Sequence, residues 1–589
     1  MHFPFCKKTT SPEARRQTLP GKRGRGSGPP AAGALPPLPP DRHVFLTGFM
    51  GAGKSTAGPI LAGLLGRAFT DLDRDIEMTE GMAIPEIFAD PARGEAYFRG
   101  REAERIRMLV TSRTLPRVIA LGGGAVEDPA TRALLRDSAN TFFLDAGDAD
   151  ALWERAGRDG PGRPLARHRA DFGRLLKRRL PLYLSCGMQV DARGLDPRGV
   201  ARAVTRILFR GREALLSPPG GRDSRLSAWP DRESLAEGLR ERLAGGRALL
   251  LLDPALRSEA GFWREFLAGR GDVLVPESRG EEVKTFASAE RILGELAARS
   301  FDRSDWLLAR GGGSLTDVGG FCAGLFKRGM RLALMPTTLL AAADAAVGGK
   351  TAVNFAGAKN QCGIFYLPEE VLIEGEVLRR LPAPLVEEGL TEVYKTGLIR
   401  DPSLAGLVAR EIESFLPPQD APGPDMLLLL DAAWRAASLK AGIVSEDFRE
   451  ERGVRDVLNF GHTFGHAVES HYAGAEVPVS HGRAVAFGMA AALVLSERSW
   501  GLDADLARAA RAVCLRLSQG GYPPVPPAES LERLFLADKK SRYGRLKFVA
   551  LKAPGAPVVT GLEPAELAAA AREAVREVEA REILPWSRL

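Results

Sequence analysis

The sequence predicts an α/β fold of two linked units with parallel sheets, followed by a mainly α-helical region. Short apolar segments alternate with amphipathic ones from Val44 onward, which is typical of parallel strands connected by helices. A stretch rich in Pro, Gly and Ser interrupts this alternation, and beyond residue 384 the chain has few strand-like runs. Because 589 residues exceed what one hydrophobic core usually organises, we expect several domains.

These patterns divide the chain into five segments. The first is basic and rich in Pro and Gly without a continuous apolar run, so we expect a disordered extension and not a secretory signal. A flexible linker between the α/β units predicts that fragments cut after residue 216 fold separately. The predicted segments are 1–42 (extension), 43–212 (first α/β unit), 213–231 (linker), 232–384 (second α/β unit) and 385–589 (helical region).

The composition excludes several classes of protein. Hydrophobic residues make up 45% and charged residues 26%, as in globular and not fibrous chains. There is no apolar run long enough to span a membrane. The five cysteines lie far apart without a C-x-x-C pair, which argues against a disulfide framework and a thiolate zinc site and favours a reducing cytoplasm. The net charge of +7 is small for this length, so we predict anionic small-molecule partners and no nucleic acid.

The first unit contains a phosphate-binding loop. The sequence GFMGAGKST follows an apolar strand and opens a helix, which is the context that a P-loop requires. Backbone N–H groups would surround the phosphates of ATP, Lys54 would reach the β and γ oxygens, and Ser55 would hold Mg²⁺. The predicted ATP-binding residues of the loop are Gly51, Ala52, Gly53, Lys54, Ser55 and Thr56.

Two aspartates follow the second predicted strand of this unit. We expect Asp71 and Asp73 on one face at the strand end, where one carboxylate lies near Mg²⁺ and the other accepts a proton from an alcohol. Downstream, Arg99 and a run of three glycines provide a cation and close approach for a small substrate. The glycines are Gly122, Gly123 and Gly124.

Together these motifs resemble shikimate kinase over about residues 44–210. The resemblance implies a P-loop kinase domain that phosphorylates the 3-hydroxyl of shikimate with ATP. It implies that Asp73 orients or deprotonates this hydroxyl and that Arg163, from a lid over ATP, stabilises the transferred phosphoryl group. Another small alcohol such as gluconate is the alternative substrate. The implied shikimate-binding residues are Asp73, Arg99, Gly122, Gly123, Gly124 and Arg179, and the implied Mg²⁺ ligands are Ser55 and Asp71.

The second unit has its own glycine turn. Gly311, Gly312 and Gly313 follow an apolar strand, so the backbone there can approach a pyrophosphate closely. Farther along, four polar residues stand among Ala, Val and Gly, which indicates a binding site. They are Asp344, Lys350, Lys359 and Asn360.

Histidine usage indicates a metal site in the helical region. Four of the seven histidines (His462, His466, His471 and His481) fall within 20 residues, and His462 and His466 share a helix face. Histidines with a carboxylate and one open position are typical of catalytic zinc, although they also suit cobalt or iron. The residues alone leave the carboxylate open between Glu392 and Glu469, and we expect a structural role for His471.

The segments GGGSLTD, PTTLLAAADAAVGGKTAVN, GLTEVYKTGLI and RDVLNFGHTFGH resemble 3-dehydroquinate synthase, over about residues 227–580. The resemblance implies a dinucleotide-binding domain followed by an α-helical metal- and substrate-binding domain. It implies NAD⁺, and Zn²⁺ or Co²⁺ held by Glu392, His462 and His481. The implied reaction converts 3-deoxy-arabino-heptulosonate 7-phosphate to 3-dehydroquinate and phosphate by transient oxidation, elimination and intramolecular aldol closure.

The same resemblance assigns the other residues of this site. Four of them are implied to be catalytic: Lys350, Lys395, Lys440 and His466, the last as a proton relay. The implied NAD contacts are Glu281, Lys284, Gly311, Gly312, Gly313, Asp317, Thr337, Thr338, Lys350, Lys359 and Asn360. The implied substrate contacts are Arg328, Asp344, Lys350, Asn360, Lys395, Lys440, Arg455, Asn459 and His466.

Together the two resemblances imply a bifunctional, cytoplasmic enzyme that catalyses two nonconsecutive steps of the shikimate pathway. Its partners would be shikimate, ATP with Mg²⁺ and the heptulosonate phosphate, with no membrane, and a homodimer through the C-terminal half is compatible with the sequence. For the second half, another sugar-phosphate cyclase or a polyol dehydrogenase is the alternative.

Overall fold

The computed structural model describes residues 38–111, 114–158, 168–219, 221–418, 423–472, 479–519, 521–537, 541–542 and 545–579. Most of the predicted extension 1–42, and also Arg163, lie outside these residues. None of the described helices is long and apolar enough to cross a membrane.

The first domain is a parallel sheet packed with helices. Its strands are β1 (Val44–Thr47), β2 (Ala68–Asp71), β3 (Arg117–Ala120), β4 (Asn140–Asp145) and β5 (Met188–Asp191), in the order β2-β3-β1-β4-β5. All neighbouring pairs are parallel, and the central strand β1 is fully buried. Its described helices are α1 (Lys54–Leu65), α2 (Leu72–Glu80), α3 (Ile84–Ala89), α4 (Gly94–Thr111), α5 (Pro129–Ser138), α6 (Ala149–Arg158), α7 (Arg169–Cys186) and α8 (Pro197–Leu208).

The second domain is built on a seven-stranded sheet. The strands are β6 (Glu213–Leu216), β7 (Ser224–Trp229), β8 (Ala248–Leu252), β9 (Gly271–Leu274), β10 (Trp306–Gly311), β11 (Arg331–Pro336) and β14 (Glu370–Glu374), in the order β6-β7-β14-β11-β10-β8-β9. An antiparallel hairpin, β12 (Lys350–Phe355) and β13 (Ala358–Phe365), stands apart from this sheet. The helices are α9 (Arg232–Leu243), α10 (Ala260–Phe266), α11 (Phe286–Ala298), α12 (Gly313–Leu325) and α13 (Gly375–Arg379).

The C-terminal region is mainly helical, as predicted, and it also carries a small antiparallel sheet. The helices are α14 (Ala383–Arg400), α15 (Pro402–Arg410), α16 (Ile412–Phe415), α17 (Met426–Glu446), α18 (His462–His471), α19 (His481–Trp500), α20 (Ala504–Leu517), α21 (Ala528–Ala537) and α22 (Pro564–Glu579). The sheet consists of β15 (Ser541–Arg542), β16 (Arg545–Ala553) and β17 (Ala556–Leu562).

The segment predicted to be a linker, residues 213–231, instead belongs to the second sheet. Strand β6 pairs antiparallel with β7, and β7 pairs parallel with β14. Leu216 is paired with Ser224, so Pro218 and Gly221 occupy only the turn between the two strands. The Pro, Gly and Ser signal therefore marks the loop between two paired strands and not a connection between separate domains.

Two buried ion pairs join the first domain to helix α17. Arg67, directly after α1, places Nε 2.6 Å from Asp425 Oδ2, and Arg212 places Nη2 2.8 Å from Asp431 Oδ1. All four side chains are at most 6% exposed. Breaking a buried pair by removing one partner costs about 3–5 kcal/mol, so this is a specific interface.

Candidate active sites

The P-loop lies between β1 and α1. Gly51 has φ 76°, and a Cβ there would lie only 2.7 Å from the Leu152 carbonyl oxygen, so glycine is required by both conformation and space. Lys54 Nζ donates hydrogen bonds to the carbonyl oxygens of Gly48 (2.7 Å) and Phe49 (3.1 Å), which hold the ammonium group against the loop. The loop and the first turn of α1 thus offer backbone donors and a cation to phosphates.

Asp71 and Ser55 meet beside the loop. Ser55 Oγ donates to Asp71 Oδ2 at 2.7 Å, which pairs a hydroxyl with a carboxylate of the kind Mg²⁺ prefers. The expectation that Asp71 and Asp73 share a strand face is wrong, because β2 ends at Asp71 and Asp73 lies in the first turn of α2. Asp71 caps that helix by accepting from the N–H of Arg74, so the chain becomes helical directly after it.

Two buried carboxylates approach each other across the glycine run. A Cβ on Gly122 would lie 2.5 Å from both Asp73 Oδ1 and Glu102 Oε1. Neither oxygen has a hydrogen-bond partner among the described residues. Burial, together with the charge of Asp71, raises the pKa of Asp73, and burial raises the pKa of Glu102 to about 7. Sequence reasoning missed Glu102, whose signal is its position three residues after Arg99 on the same helix.

Two guanidinium groups flank these acids. Arg99 Nη1 donates to Glu102 Oε2 at 2.7 Å, and Arg179 Nε donates to Glu127 Oε1 at 3.0 Å. Arg99 Nε and Arg179 Nη2 are buried without a hydrogen-bond partner in the described structure. A Cβ on Gly124 would lie 2.2 Å from Arg99 Nη2, so glycine makes room for this cation. The cluster can therefore bind a small anion beside a proton acceptor.

Tyr183 completes this wall of the site. Its hydroxyl donates to the carbonyl oxygen of Gly123 at 2.6 Å, and its ring stacks on Phe143. Tyr183 and Glu127 were not predicted, because a single tyrosine or glutamate in α7 and in the turn before α5 carries no pattern of its own.

The second site contains a candidate metal centre, which consists of Glu392 on α14 and the first residues of α18 and α19, His462 and His481. One ligand atom from each lies within 4.8 Å of the others. Glu392 Oε1 is 3.6 Å from His462 Nε2 and 3.5 Å from His481 Nε2. Tetrahedral ligands at the usual Zn²⁺ distances are about 3.3 Å apart, so this donor set fits a zinc ion.

The electrostatics also suit a cation. Burial and the nearby Lys395 ammonium hold the pKa of His462 well below its usual range, so this imidazole is neutral, as a ligand must be. Burial opposes charge on His481, but its hydrogen bonds to Glu392 and Glu469 raise its pKa to about 10. The carboxylates around His481 therefore attract positive charge.

Both histidines are oriented from their Nδ1 atoms. His462 Nδ1 lies 3.2 Å from the carbonyl oxygen of Phe460, and His481 Nδ1 lies 3.2 Å from Glu469 Oε2. Glu392 thus lies beside the Nε2 atoms of both histidines, whereas Glu469 lies beside Nδ1 of His481. Of the two carboxylates that the sequence left open, only Glu392 is therefore placed with the ligand atoms of the cluster. His471 is exposed and lies outside the cluster, with its ring against Tyr472.

Buried lysines adjoin the metal cluster. Lys440 Nζ lies 2.9 Å from Asp344 Oδ1 and donates to the Asp344 carbonyl oxygen at 2.7 Å, within a short π-helical turn (Ala341–Ala345). Lys395 pairs with Glu392. Burial acts to raise the pKa of Asp344, but Lys440 and Lys395 lower it, whereas burial lowers the pKa of Lys440 itself. His466 also belongs here, with its ring 5.2 Å from that of His462.

Further charged and polar residues lie near Lys440 and Asp344. Glu450 pairs with Lys350 and also with Arg455, whose Nε lies 3.3 Å from a Glu450 oxygen. Gly348 lies against them, since a Cβ there would lie 3.3 Å from Arg455 Nη2. Asn459 lies in the turn before α18 and donates to the carbonyl oxygen of Asp456. This excess of cations suits a phosphorylated substrate.

The predicted dinucleotide site lies at the carboxyl end of β10 and β11. Gly311 ends β10, Gly312 caps α12, and the N–H of Thr337 donates to the carbonyl oxygen of Gly311 at 3.0 Å. A Cβ on Gly312 would lie 3.5 Å from the side chain of Thr338, and one on Gly313 would lie 3.2 Å from Ala345. A glycine turn at a helix N-terminus is suited to a pyrophosphate.

Polar residues cluster beside this turn. Lys284 Nζ lies 2.7 Å from Asp317 Oδ2 and also contacts Asn360 Oδ1. Glu281 accepts from Ser314 Oγ at 3.1 Å. Burial raises the pKa of Asp317 to about 6. Lys359, which is also predicted to contact the cofactor, places Nζ 2.9 Å from Glu469 on α18.

Arg328 is not brought to the site of its own chain. It precedes β11, whereas Thr337 follows this strand, which has six residues. Residues before and after a strand lie at opposite edges of a sheet, here about 20 Å apart. Its side chain is exposed. Arg328 therefore lies at the opposite end of β11 from Thr337, and its contact with the substrate stays a prediction.

Comparisons with known proteins match the two halves separately and together. Family models match residues 50–208 (shikimate kinase), 274–388 (3-dehydroquinate synthase N-terminal) and 389–541 (3-dehydroquinate synthase C-terminal). A bifunctional shikimate kinase/3-dehydroquinate synthase of Thermotoga maritima is 32% identical over 528 residues, which cover 89% of this chain and 99% of the relative. A 3-dehydroquinate synthase of Methylococcus capsulatus is 41% identical over 313 residues, 52% of this chain and 81% of that protein.

Solved structures share the fold of the second half. The 2-epi-5-epi-valiolone synthase of Streptomyces hygroscopicus, with NAD⁺ and Zn²⁺ bound, is 25% identical with a TM-score of 0.52 and covers 61% of this chain and 98% of that chain. A 2-deoxy-scyllo-inosose synthase complexed with carbaglucose-6-phosphate, NAD⁺ and Co²⁺ has a TM-score of 0.53 at 22% identity, covering 61% and 99%.

Proposed function

Because the chain belongs to the family of bifunctional shikimate kinase/3-dehydroquinate synthases, we propose that its two sites divide the two reactions between them. The first phosphorylates shikimate with ATP, and the second converts 3-deoxy-arabino-heptulosonate 7-phosphate to 3-dehydroquinate and phosphate. One observation carries this assignment: a single chain forms both a P-loop with converging acids and arginines and a Glu392–His462–His481 cluster. Other cyclases, a polyol dehydrogenase or a gluconate kinase are not favoured, since the matching models are those of these two enzymes.

In the kinase site, Arg99 and Arg179 bind the shikimate carboxylate. Each has one buried guanidinium nitrogen without a protein partner, and an anion there would satisfy both. Asp73 accepts the proton of the attacking hydroxyl, and its raised pKa makes it a stronger base than an exposed aspartate.

Lys54 neutralises the phosphates from the loop side. Mg²⁺, held by Ser55 and Asp71 with the phosphates of ATP, would offset the charge on the transferred group. We assign Arg163 to the same task. These residues position the phosphoryl group in line with the hydroxyl that Asp73 has oriented.

In the synthase site, Glu392, His462 and His481 would hold Zn²⁺, or Co²⁺, which supplies a Lewis acid for the reacting hydroxyl and carbonyl oxygens. Gly311, Asp317 and Glu281 would hold NAD⁺ at the glycine turn, and the cofactor would supply a reversible hydride acceptor, so that no net oxidation occurs.

The surrounding side chains bind and move protons. Lys350, Lys440 and Arg455 neutralise the substrate phosphate and the enolate charge that develops when phosphate leaves. Lys395 and Asp344 fix the positions of Glu392 and Lys440 through their ion pairs. His466, beside His462, relays a proton to the departing phosphate. We also propose that the enzyme is cytoplasmic and acts as a homodimer.

A crossed pair of variants tests this division. In Lys54→Ala, shikimate phosphorylation should fall by about 10²-fold or more while phosphate release from the heptulosonate phosphate stays at the wild-type rate. In His462→Ala the reverse should hold, since one of only three protein ligands is lost. Loss of both activities in either folded variant would contradict two independent sites.

A further inference from the structure

We propose that Glu469 is a positioning residue for the metal ligand His481 and that Lys359 holds Glu469 in place. The inference rests on the metal centre proposed above. Two oxygens of one carboxylate face different elements: Oε2 lies 3.2 Å from His481 Nδ1, and Oε1 lies 2.9 Å from Lys359 Nζ.

Helix geometry brings Glu469 to the centre without making it a ligand. His462, His466 and Glu469 are spaced four and three residues apart on α18, so they share one face. His481 begins a different helix, α19. The three atoms that form the metal cluster belong to Glu392, His462 and His481, and Glu469 lies on the Nδ1 side of the His481 ring.

The hydrogen bond decides which nitrogen of His481 can bind a metal. A neutral imidazole carries its proton on one nitrogen and offers a lone pair on the other. A carboxylate that accepts from Nδ1–H selects the tautomer whose Nε2 lone pair points toward Glu392, 3.5 Å away. His462 achieves the same orientation through the backbone oxygen of Phe460. Only His481 therefore depends on a side chain that can be replaced.

Lys359 extends this support to the dinucleotide-binding domain. Its side chain is 62% exposed, so the ion pair alone contributes little to stability, and its role is to stop the Glu469 carboxylate from rotating. The next residue, Asn360, contacts Lys284 of the nucleotide cluster. The β12–β13 hairpin thus touches both halves of the synthase site.

Zinc affinity of the full-length protein tests the proposal directly. The metal-stripped protein is titrated with Zn²⁺ alone against a chromophoric chelator, for wild type and for Glu469→Ala, Glu469→Gln, Lys359→Met and His471→Ala. We expect Glu469→Ala to weaken binding about 10- to 100-fold, the usual effect of losing such a partner. Glu469→Gln keeps an oxygen that accepts from Nδ1–H, so its zinc affinity should fall less than that of Glu469→Ala. The zinc affinity of Lys359→Met should fall least of the three. His471→Ala, on the same helix but exposed, should bind as wild type does.

Cobalt provides a second readout. The absorption spectrum of the Co²⁺-loaded protein reports ligand geometry, and we expect it to shift in Glu469→Ala and to return toward wild type in Glu469→Gln. Shikimate kinase activity of each variant verifies folding. Zinc affinity within about twofold of wild type, with an unchanged cobalt spectrum, in Glu469→Ala would overturn the proposal. If His481→Ala binds zinc as tightly as wild type, the metal centre itself is wrong.

Discussion

At the scale of single residues, the kinase site contains buried polar atoms that have no hydrogen-bond partner among the described residues. They are Asp73 Oδ1, Glu102 Oε1, Arg99 Nε and Arg179 Nη2. Each such group costs about 1–3 kcal/mol when nothing pairs with it. The proposed substrate of this site, shikimate, carries both hydroxyls and a carboxylate, so it would satisfy the acids and the cations together.

Glu102 gives this site a measurable pH dependence. Its pKa rises from 4.5 to about 7 on folding, so between these values the unfolded chain has released a proton that the folded chain keeps. The contribution of Glu102 to the free energy of unfolding should therefore fall as the pH rises from about 4.5 to about 7, by up to roughly 3 kcal/mol, and stay constant above that. In urea unfolding followed between pH 4.5 and 8, Glu102→Gln should make the slope shallower than that of the wild type, and Asp73 and Asp317, whose pKa values are also raised, should keep part of it.

Glu104 provides the control for this measurement. It lies on the same helix, its side chain is 49% exposed, and among the described residues its ion pair is with Arg101, which is 35% exposed. Glu104→Gln should keep the slope of the wild type. An equal slope in Glu102→Gln would mean that Glu102 does not titrate in this range.

At the scale of elements, helix α17 connects the two domains. Asp425 caps its N-terminus by accepting from the N–H groups of Leu427 (2.9 Å) and Leu428 (3.1 Å), and the same carboxylate pairs with Arg67. Fourteen residues after Met426, Lys440 contacts Asp344 in the synthase site. One helix therefore begins at the kinase domain and ends at the second active site.

Removing this cap should cost far more than removing an ordinary one. Asp425→Ala loses a helix cap, worth about 1 kcal/mol, and leaves Arg67 buried and unpaired, worth about 3–5 kcal/mol more. Asp503 is a matched control, because it caps α20 through the N–H groups of Asp505 and Leu506, both at 3.0 Å. Asp503→Ala should lose only the helix cap, about 1 kcal/mol of the free energy of unfolding. Thermal unfolding measures both, and equal shifts would show that the Arg67 pair contributes nothing.

At the scale of the whole molecule, the kinase is not an independent appendage. The backbone of residues 38–42 also binds the two arginines of the interdomain ion pairs. Arg67 donates to the carbonyl oxygens of Pro40 and Arg42, and Arg212 donates to the carbonyl oxygen of Leu38. With β6 in the second sheet, the first domain is attached by a strand, two ion pairs and this segment. Since the two reactions are nonconsecutive, this attachment does not require that product passes between the sites.

The position of a cut between the domains should therefore matter. A fragment 217–589 lacks β6, whereas 211–589 keeps β6 and the Arg212–Asp431 pair. We expect 211–589 to unfold at a higher temperature and keep more synthase activity. Both should be less stable than the full chain, because Asp425 loses Arg67. Equal stability of 217–589 and the full chain would restore the linker hypothesis.

The sequence by itself determined the features that depend on neighbours in the chain. The P-loop, the pair His462 and His466 and the order of the domains follow from local spacing and residue type, and these were predictable. Tertiary structure decided what depends on distant residues. It placed Glu392 beside the Nε2 atoms of His462 and His481, and Glu469 beside Nδ1 of His481. It also added Glu102 to the kinase site and formed two paired strands from the segment predicted to be a linker. Arg67 and Asp425 are 358 positions apart, and no periodicity connects them. Such pairs form only when folding buries both charges together, so their partners cannot be found from either segment alone.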